Sequence, residues 1–325
     1  MRLGTWKGTC LRNLFTQQNL APVGQMGLAI LTVLVLASVI VVTLRRLRPD
    51  KDVSELIARV QSWWLMAGLF FAIIVASDPI ALVFFALLSF WALKEYITLL
   101  HTRPADHRSL ALMFCAIPLQ YYWIATNWYG MAIIFIPVYM FLILPMQLVL
   151  AQETQGFVAA ASQMQWGLMA FIFGLSHLGL LLTLPAMAEP RVHGRTLLLF
   201  LVFVVEISDV LQYVWGKTLG RHKILPMVSP NKTWEGFLGG IASAIVCSLS
   251  MRFLTPFSLA ETGLVALLIT VAGFAGGAVM SAVKRDFGVK DFGSLIPGHG
   301  GMIDRLDSLC YAAPLFFHYV RYFHT

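Results

Sequence analysis

Two stretches of this chain carry acids and cations at spacings suited to chemistry on phosphate. The longer begins Ser281-Ala-Val-Lys284-Arg285-Asp286 and passes through Lys290-Asp291 to Pro297-Gly298-His299-Gly300-Gly301. It then ends in Asp304-Arg305-Leu-Asp307. Gly298, Gly300 and Gly301 allow backbone amides to turn toward an anion. A helix is expected directly after them, placing Asp304 and Asp307 three apart on one face of its first turn. Two carboxylates so placed suit a hard cation such as Mg²⁺. Acids in a first turn also complement the helix dipole with no ligand at all. Ser281 and Lys284 share a face at the end of the preceding helix. His299, alone between glycines, reads as a hydrogen-bonding loop residue rather than a metal ligand.

The second stretch opens with Glu206 and Asp209, again three apart on one face of an expected helix. Charges within a membrane span are costly and usually functional, the alternative being a structural pair. Gln212, Tyr213, Gly216 and Lys217 follow, then Arg221, Lys223 and Ser229-Pro230-Asn231-Lys232-Thr233 with Glu235 and Gly236. Lys217, Arg221, Lys223 and Lys232 offer counter-charge to a polyphosphate. A plain cytoplasmic loop carries cations too. Ser229 to Glu235 has the pattern of a capped helix start, with the helix opening at Gly236.

These residues need a scaffold, and the composition says which kind. Of 325 residues, 58% are apolar and 12% charged, against about half and about a quarter in soluble domains. That excludes an ordinary soluble enzyme and a disordered chain, and predicts an all-α, polytopic membrane protein. Apolar runs predict about ten transmembrane helices, near 26–44, 63–77, 79–93, 110–126, 130–151, 166–184, 196–215, 236–251, 262–283 and 308–323. Asp78-Pro79 reads as a hairpin turn between two short runs, with one re-entrant unit as the alternative. In organisation, 1–25 is expected to be an N-terminal extension ahead of a native start at Met26. The segment 26–195 reads as an N-terminal set of membrane helices, and 196–325 as the catalytic membrane region.

With ten spans, 16 of the 23 Lys and Arg fall in loops on one side. The positive-inside rule makes that side cytoplasmic. The net charge of +7 is then a topology signal, and no nucleic-acid partner is expected. Loops 216–235 and 284–307 are two spans apart and so emerge together on the basic side. Eight of the 16 acids lie between Glu206 and Asp307. Cys10, Cys115, Cys247 and Cys310 are too scattered for a disulfide framework or a zinc site.

The same residues give the chain a resemblance to the phosphatidate cytidylyltransferases, the CDP-diacylglycerol synthases. The family motif S-x-x-K-R-x-x-x-x-K-D, then P-G-H-G-G-x-x-D-R-x-D, is matched from Ser281 to Asp307. The upstream pattern is matched by Asp209, Tyr213, Gly216, Lys217, Ser229, Pro230, Lys232, Thr233, Glu235 and Gly236. The motifs cover about 204–325; before that only the architecture is similar. Gln212 departs from the family, which usually has alanine there, and marks a divergent bacterial branch. A bulky amide at 212 is expected to reshape the nucleotide or lipid pocket.

The resemblance implies a nucleotidyltransferase in phospholipid biosynthesis. It would join CTP and phosphatidic acid, giving CDP-diacylglycerol and pyrophosphate, with Mg²⁺ or Mn²⁺ and room for a second cation. It implies Asp291, Asp304 and Asp307 as metal ligands, with Asp209 a fourth. Lys284, Arg285, Lys290 and Arg305 would neutralise phosphates. Ser281, Lys217, Lys223, Lys232, Gly298, Gly300 and Gly301 would contact substrate. The setting is the inner (cytoplasmic) membrane, multi-pass, with the site facing the cytoplasm. A homodimer is compatible with this reading. The competing readings are a CTP-dependent polyprenol kinase and a catalytically inactive lipid-binding paralogue. A transporter is disfavoured, because no repeat is visible and the polar residues crowd one face. Asp304→Asn and Asp307→Asn are each expected to abolish CTP turnover while leaving membrane insertion intact, as measured by activity and membrane fractionation.

Overall fold

A computed structural model of the chain describes residues 17–47, 54–152, 154–185, 187, 192–295 and 300–325. Among these residues, ten helical rods follow one another. They are α1 (Gln17–Leu47), α2 (Ser54–Val75), α3 (Asp78–Leu99), α4 (His107–Ala125) and α5 (Tyr129–Leu150). After them come α6 (Phe157–Leu182), α7 (Gly194–Leu219), α8 (Trp234–Ser250), α9 (Leu259–Asp286) and α10 (Ile303–His324). The all-α expectation holds. Seven of the rods, α1–α3, α5–α7 and α9, are long and apolar enough to cross a membrane by length and composition. α8 is apolar but has 17 residues. α4 and α10 carry too many polar groups, such as Arg108 and Gln120 in one and Asp304, Asp307, His318 and Arg321 in the other.

Local chemistry explains several boundaries. Pro79 stands in the first turn of α3, where its missing N–H is no loss. The two short runs flanking Asp78 thus become separate 22-residue helices. Ser258 and Glu261 cap α9 reciprocally. The Thr233 hydroxyl accepts from the Gly236 amide, 3.1 Å away, and caps α8. Other boundaries differ from the sequence reading. α1 begins at Gln17, ahead of Met26. The segment expected as a loop at 152–165 is already helical from Phe157. The basic loop after α7 contains a small antiparallel hairpin, β1 (Lys223–Leu225) paired with β2 (Ser229–Thr233).

α7 is the central rod. Its residues from Gly194 to Leu201 are all buried, and Phe200 packs near Phe257 and Phe316. One apolar core takes residues from both sides of position 195. Large apolar side chains such as Leu28, Leu36, Leu65 and Val83 are exposed on α1–α3, as lipid-facing surfaces are.

Glycines bring the C-terminal helices close. A Cβ at Gly240 of α8 would sit 2.3 Å from Gln212 Cγ, and one at Gly239 2.7 Å from the Trp215 ring. Between α9 and α10, a Cβ at Gly276 would sit 2.4 Å from the Asp307 carbonyl oxygen. Small residues at such seams let backbones approach and pack.

At the opposite end of the bundle, buried Arg195 donates to the carbonyls of Ile74 and Ala76 and to the Asp78 carboxylate. This ties the start of α7 to the α2–α3 turn. Arg195→Ala is expected to cost about 2 kcal/mol, because it strips three charge-assisted bonds from one buried and two partly buried acceptors. The readout is a lower Tm in detergent. Arg195→Lys should recover only part, since an ammonium lacks the guanidinium fork.

Candidate active site

Four elements converge toward one end of the bundle: α7 from its midpoint on, the hairpin, the end of α9 and the start of α10. α7 contributes Glu206 and Asp209, β2 contributes Lys232, α9 contributes Lys284, and α10 contributes Asp304, Arg305, Asp307 and Ser308.

Asp304 is buried and fully engaged. One oxygen accepts from Lys284 Nζ at 2.8 Å. The other accepts from the amides of Phe292 and Gly301, each at 2.9 Å. Gly300 has φ 79°, the left-handed region that glycine enters without cost, and a Cβ there would sit 2.8 Å from Asp304 Oδ2.

Asp307 faces the neighbouring helices. Its Oδ1 accepts from the Ser308 amide at 2.7 Å. The Ser308 hydroxyl donates to Asp209 Oδ2 at 2.9 Å, joining α10 to α7. Glu206, Asp209 and Asp307 are close enough to repel one another, with Lys232 and Arg305 as counter-charges to Asp209. Asp209 is nonetheless exposed, and Glu206, Lys232, Lys284 and Asp307 are only half-buried, so the acids line an open cleft.

Lys232 enters the cleft from the hairpin. Its ammonium lies 4.4 Å from the Phe274 ring centroid and 3.4 Å from the Phe274 carbonyl. Gly277 leaves it room, since a Cβ there would sit 3.0 Å from Nζ and 3.6 Å from Asp307 Oδ2. Burial pushes the Lys232 ammonium below the usual lysine range, Asp209 and Asp307 draw it back, and Lys284 adds to the depression.

The structure thus gathers Lys232, Lys284, Asp209, Asp304, Arg305 and Asp307. Asp291 and Lys290 are exposed on the loop after α9. Asp291 Cβ lies 3.5 Å from where a Gly300 Cβ would stand. Ser281 donates back to the Gly277 carbonyl of its own helix. Arg285 points to the hairpin and donates to the Val228 carbonyl at 3.3 Å. Lys217 donates to the Tyr213 hydroxyl, and Lys223 sits on the exposed hairpin edge. Gly298 and His299 lie outside the described residues. Gly301 gives its amide to Asp304, so that donor is already taken.

Gln212 packs in the α7–α8 seam against Gly240 and donates to Ser208 Oγ at 2.7 Å. The bulk that departs from the family alanine is taken up by a glycine on the facing helix.

Three groups have roles that the sequence reading did not assign. Ser308 links Asp209 to α10. Glu235 accepts from the amides of Arg221 and His222 and from the His222 ring, clamping the base of the hairpin. Glu95, on α3, accepts from the amides of Met302 and Ile303 at 2.8 and 3.0 Å, 207 and 208 residues away. Ser308 follows Asp307 directly and was within reach of motif reasoning. Glu95 gives no local signal, because its partners are set by helix packing.

Among the described residues, no three His, Cys, Asp or Glu side chains converge as a ready-made metal shell. Magnesium is usually held by one or two carboxylates, with substrate phosphates and water completing the shell. Asp209 and Asp307 fit that pattern, each keeping an oxygen that no donor among the described residues engages. Asp304 is the more heavily engaged, its two oxygens accepting from three donors.

A sequence model of the cytidylyltransferase family matches residues 57–323. The chain is 42% identical to the uncharacterized protein YnbB of Escherichia coli (strain K12) over 276 residues, which is 84% of this chain and 90% of that one. It is 40% identical over 129 residues to phosphatidate cytidylyltransferases of Staphylococcus saprophyticus and of Staphylococcus aureus (strain COL). That match covers 39% of this chain and 50% of each relative.

Gly276→Ala tests the geometry. Its methyl would press on the Asp307 carbonyl and part α9 from α10 at the cleft. CTP turnover is expected to fall about 100-fold, the scale of a misplacement near 1 Å, in protein that still purifies as a single species.

Proposed function

The chain belongs to the cytidylyltransferase family, and on that premise we propose that it transfers the cytidylyl group of CTP to phosphatidic acid. The products would be CDP-diacylglycerol and pyrophosphate. One observation carries this reading above the family match. A paired-carboxylate cleft, Asp209 with Asp307, is flanked by Lys232, Lys284 and Arg305 at one end of a bundle of membrane-length helices. The half-length similarity to phosphatidate cytidylyltransferases supports the lipid acceptor.

The chemistry suits such a cleft. A lipid phosphate oxygen attacks the α-phosphorus of CTP, and the bond to the bridging oxygen breaks, with pyrophosphate leaving on the far side. The nucleophile is ionised at neutral pH, so no strong general base is needed. The obstacle is charge: about −4 on CTP and about −1.5 to −2 on the lipid. Lys232, Lys284 and Arg305 would offset that charge, and their fixed placement would favour in-line approach. Lys284 is oriented by Asp304 and lies 5.7 Å from the Phe292 ring centroid. Lys290 and Arg285, exposed at the rim, would meet the outer phosphates.

Asp209 and Asp307 would hold a divalent cation, Mg²⁺ or Mn²⁺, with substrate phosphates and water completing its shell. When bound, that ion neutralises charge on phosphoryl oxygens. Asp304 would orient Lys284 and the loop. The Lys and Arg asymmetry of the loops supports a site on the cytoplasmic face of the inner membrane.

The test uses purified protein in detergent–lipid micelles with Mg²⁺, phosphatidic acid and CTP labelled separately at its α and γ phosphates. Label from the α position is expected in extracted lipid, dependent on phosphatidic acid. Transfer from the γ position to an added polyprenol would instead make the protein a CTP-dependent lipid kinase.

A further inference from the structure

α10 begins where the chain arrives from the glycine-rich loop, and its first amides have no partner within the helix. The Gly301 amide goes to Asp304. The next two, Met302 and Ile303, both go to one carboxylate, Glu95, through separate oxygens at 2.8 and 3.0 Å. Glu95 lies in the last turns of α3, between buried Leu93 and Tyr96. The Tyr96 hydroxyl is itself bonded to the Gln163 carbonyl at 2.9 Å. The carboxylate therefore stands on an anchored helix from the N-terminal half of the chain.

Space is kept for it on both sides. A Cβ at Gly293 would sit 2.8 Å from Glu95 Oε1, and one at Gly301 2.6 Å from Oε2. Its charge also complements the positive end of α10. A single bond would fix only the position of the helix end. Two bonds from one rigid carboxylate to consecutive amides also fix its rotation. Asp307 and Ser308 follow within about one to two turns, so rotation at Ile303 swings both away from Asp209.

We propose that Glu95 is a positioning residue for the reaction. By binding the Met302 and Ile303 amides it sets the rotation of α10, which holds Asp307 and Ser308 against Asp209. This rests on the cytidylyl-transfer reading for its consequence, though not for the contact itself. It also gives the N-terminal helices a part in catalysis, through a group that touches neither substrate nor metal.

The test compares the full-length protein with Glu95→Gln in detergent–lipid micelles, by hydrogen exchange and by kinetics. A glutamine turns an NH₂ toward one of the two amide donors, so the fork is broken with little change in size. Exchange at residues 301–304 is expected to rise at least about tenfold, with α7 and α8 and the Tm unchanged. Turnover at saturating CTP should fall at least about tenfold, with KM for CTP within about twofold, as expected for lost alignment rather than lost binding. Faster exchange with undiminished turnover would reduce Glu95 to a helix cap and overturn the proposal. Unchanged exchange would mean that the contact is not made, and would overturn it equally. If Glu95→Gln does not fold, Gly293→Ala displaces the same carboxylate from the Oε1 side and is judged by the same two readouts. Where both fold, the double variant should lose less than the sum of the two, as coupled sites do. Lack of CTP turnover by the unsubstituted protein would count against the functional reading, and the exchange result would still decide this one.

Discussion

The carboxylate of Asp304 gathers donors from three separate places: the Lys284 ammonium at the end of α9, the Phe292 amide on the following loop, and the Gly301 amide before α10. The rest of the cleft depends on that convergence. It draws the loop down onto the ends of two helices and turns Lys284 inward. Asp304 is engaged in holding these donors, and the more open acids of the cleft are Asp209 and Asp307. A buried carboxylate without those donors would be costly to keep charged.

Packing makes the arrangement possible. Charged groups on four elements meet only because the helices lie unusually close. That closeness comes from Gly236, Gly239 and Gly240 on α8 and from Gly273, Gly276 and Gly277 on α9. Where Gly277 has no side chain, the Lys232 ammonium and the Asp307 carboxylate approach the same point. Gln212 belongs to the same logic. Its extra bulk falls opposite Gly240, so a departure within an otherwise matched motif is absorbed in a seam and does not project into the cleft.

The cleft also sits where a membrane protein can sustain it. The acids and cations of the cleft gather toward one end of the bundle, and the opposite end is tied by the Arg195–Asp78 pair to the α2–α3 turn. For the proposed transfer, two polyanionic reactants would need fixed counter-charge near water, and a lipid acceptor would need access from the bilayer. A polar end on a bundle of apolar rods supplies both conditions.

Much of this was legible in the sequence, because it depends on local spacing and composition. Apolar runs located the helices, the Ser229-to-Glu235 segment marked the start of α8, and the glycine-rich loop marked the start of α10, with Asp304 in its first turn and Asp307 just beyond it. The ordered motif from Ser281 to Asp307 pointed to the family that the match over 57–323 then showed. The tertiary structure alone decided the division of labour among the acids. Asp304 and Asp307 look equivalent in sequence, yet one accepts from three donors on the surrounding loop and helix and the other faces Asp209 across the cleft. It alone brought Glu95 to the start of α10 and placed Gln212 in a seam. Spacing along a helix fixes which residues share a face. What that face meets depends on the packing of helices far apart in the chain, and no local pattern encodes it.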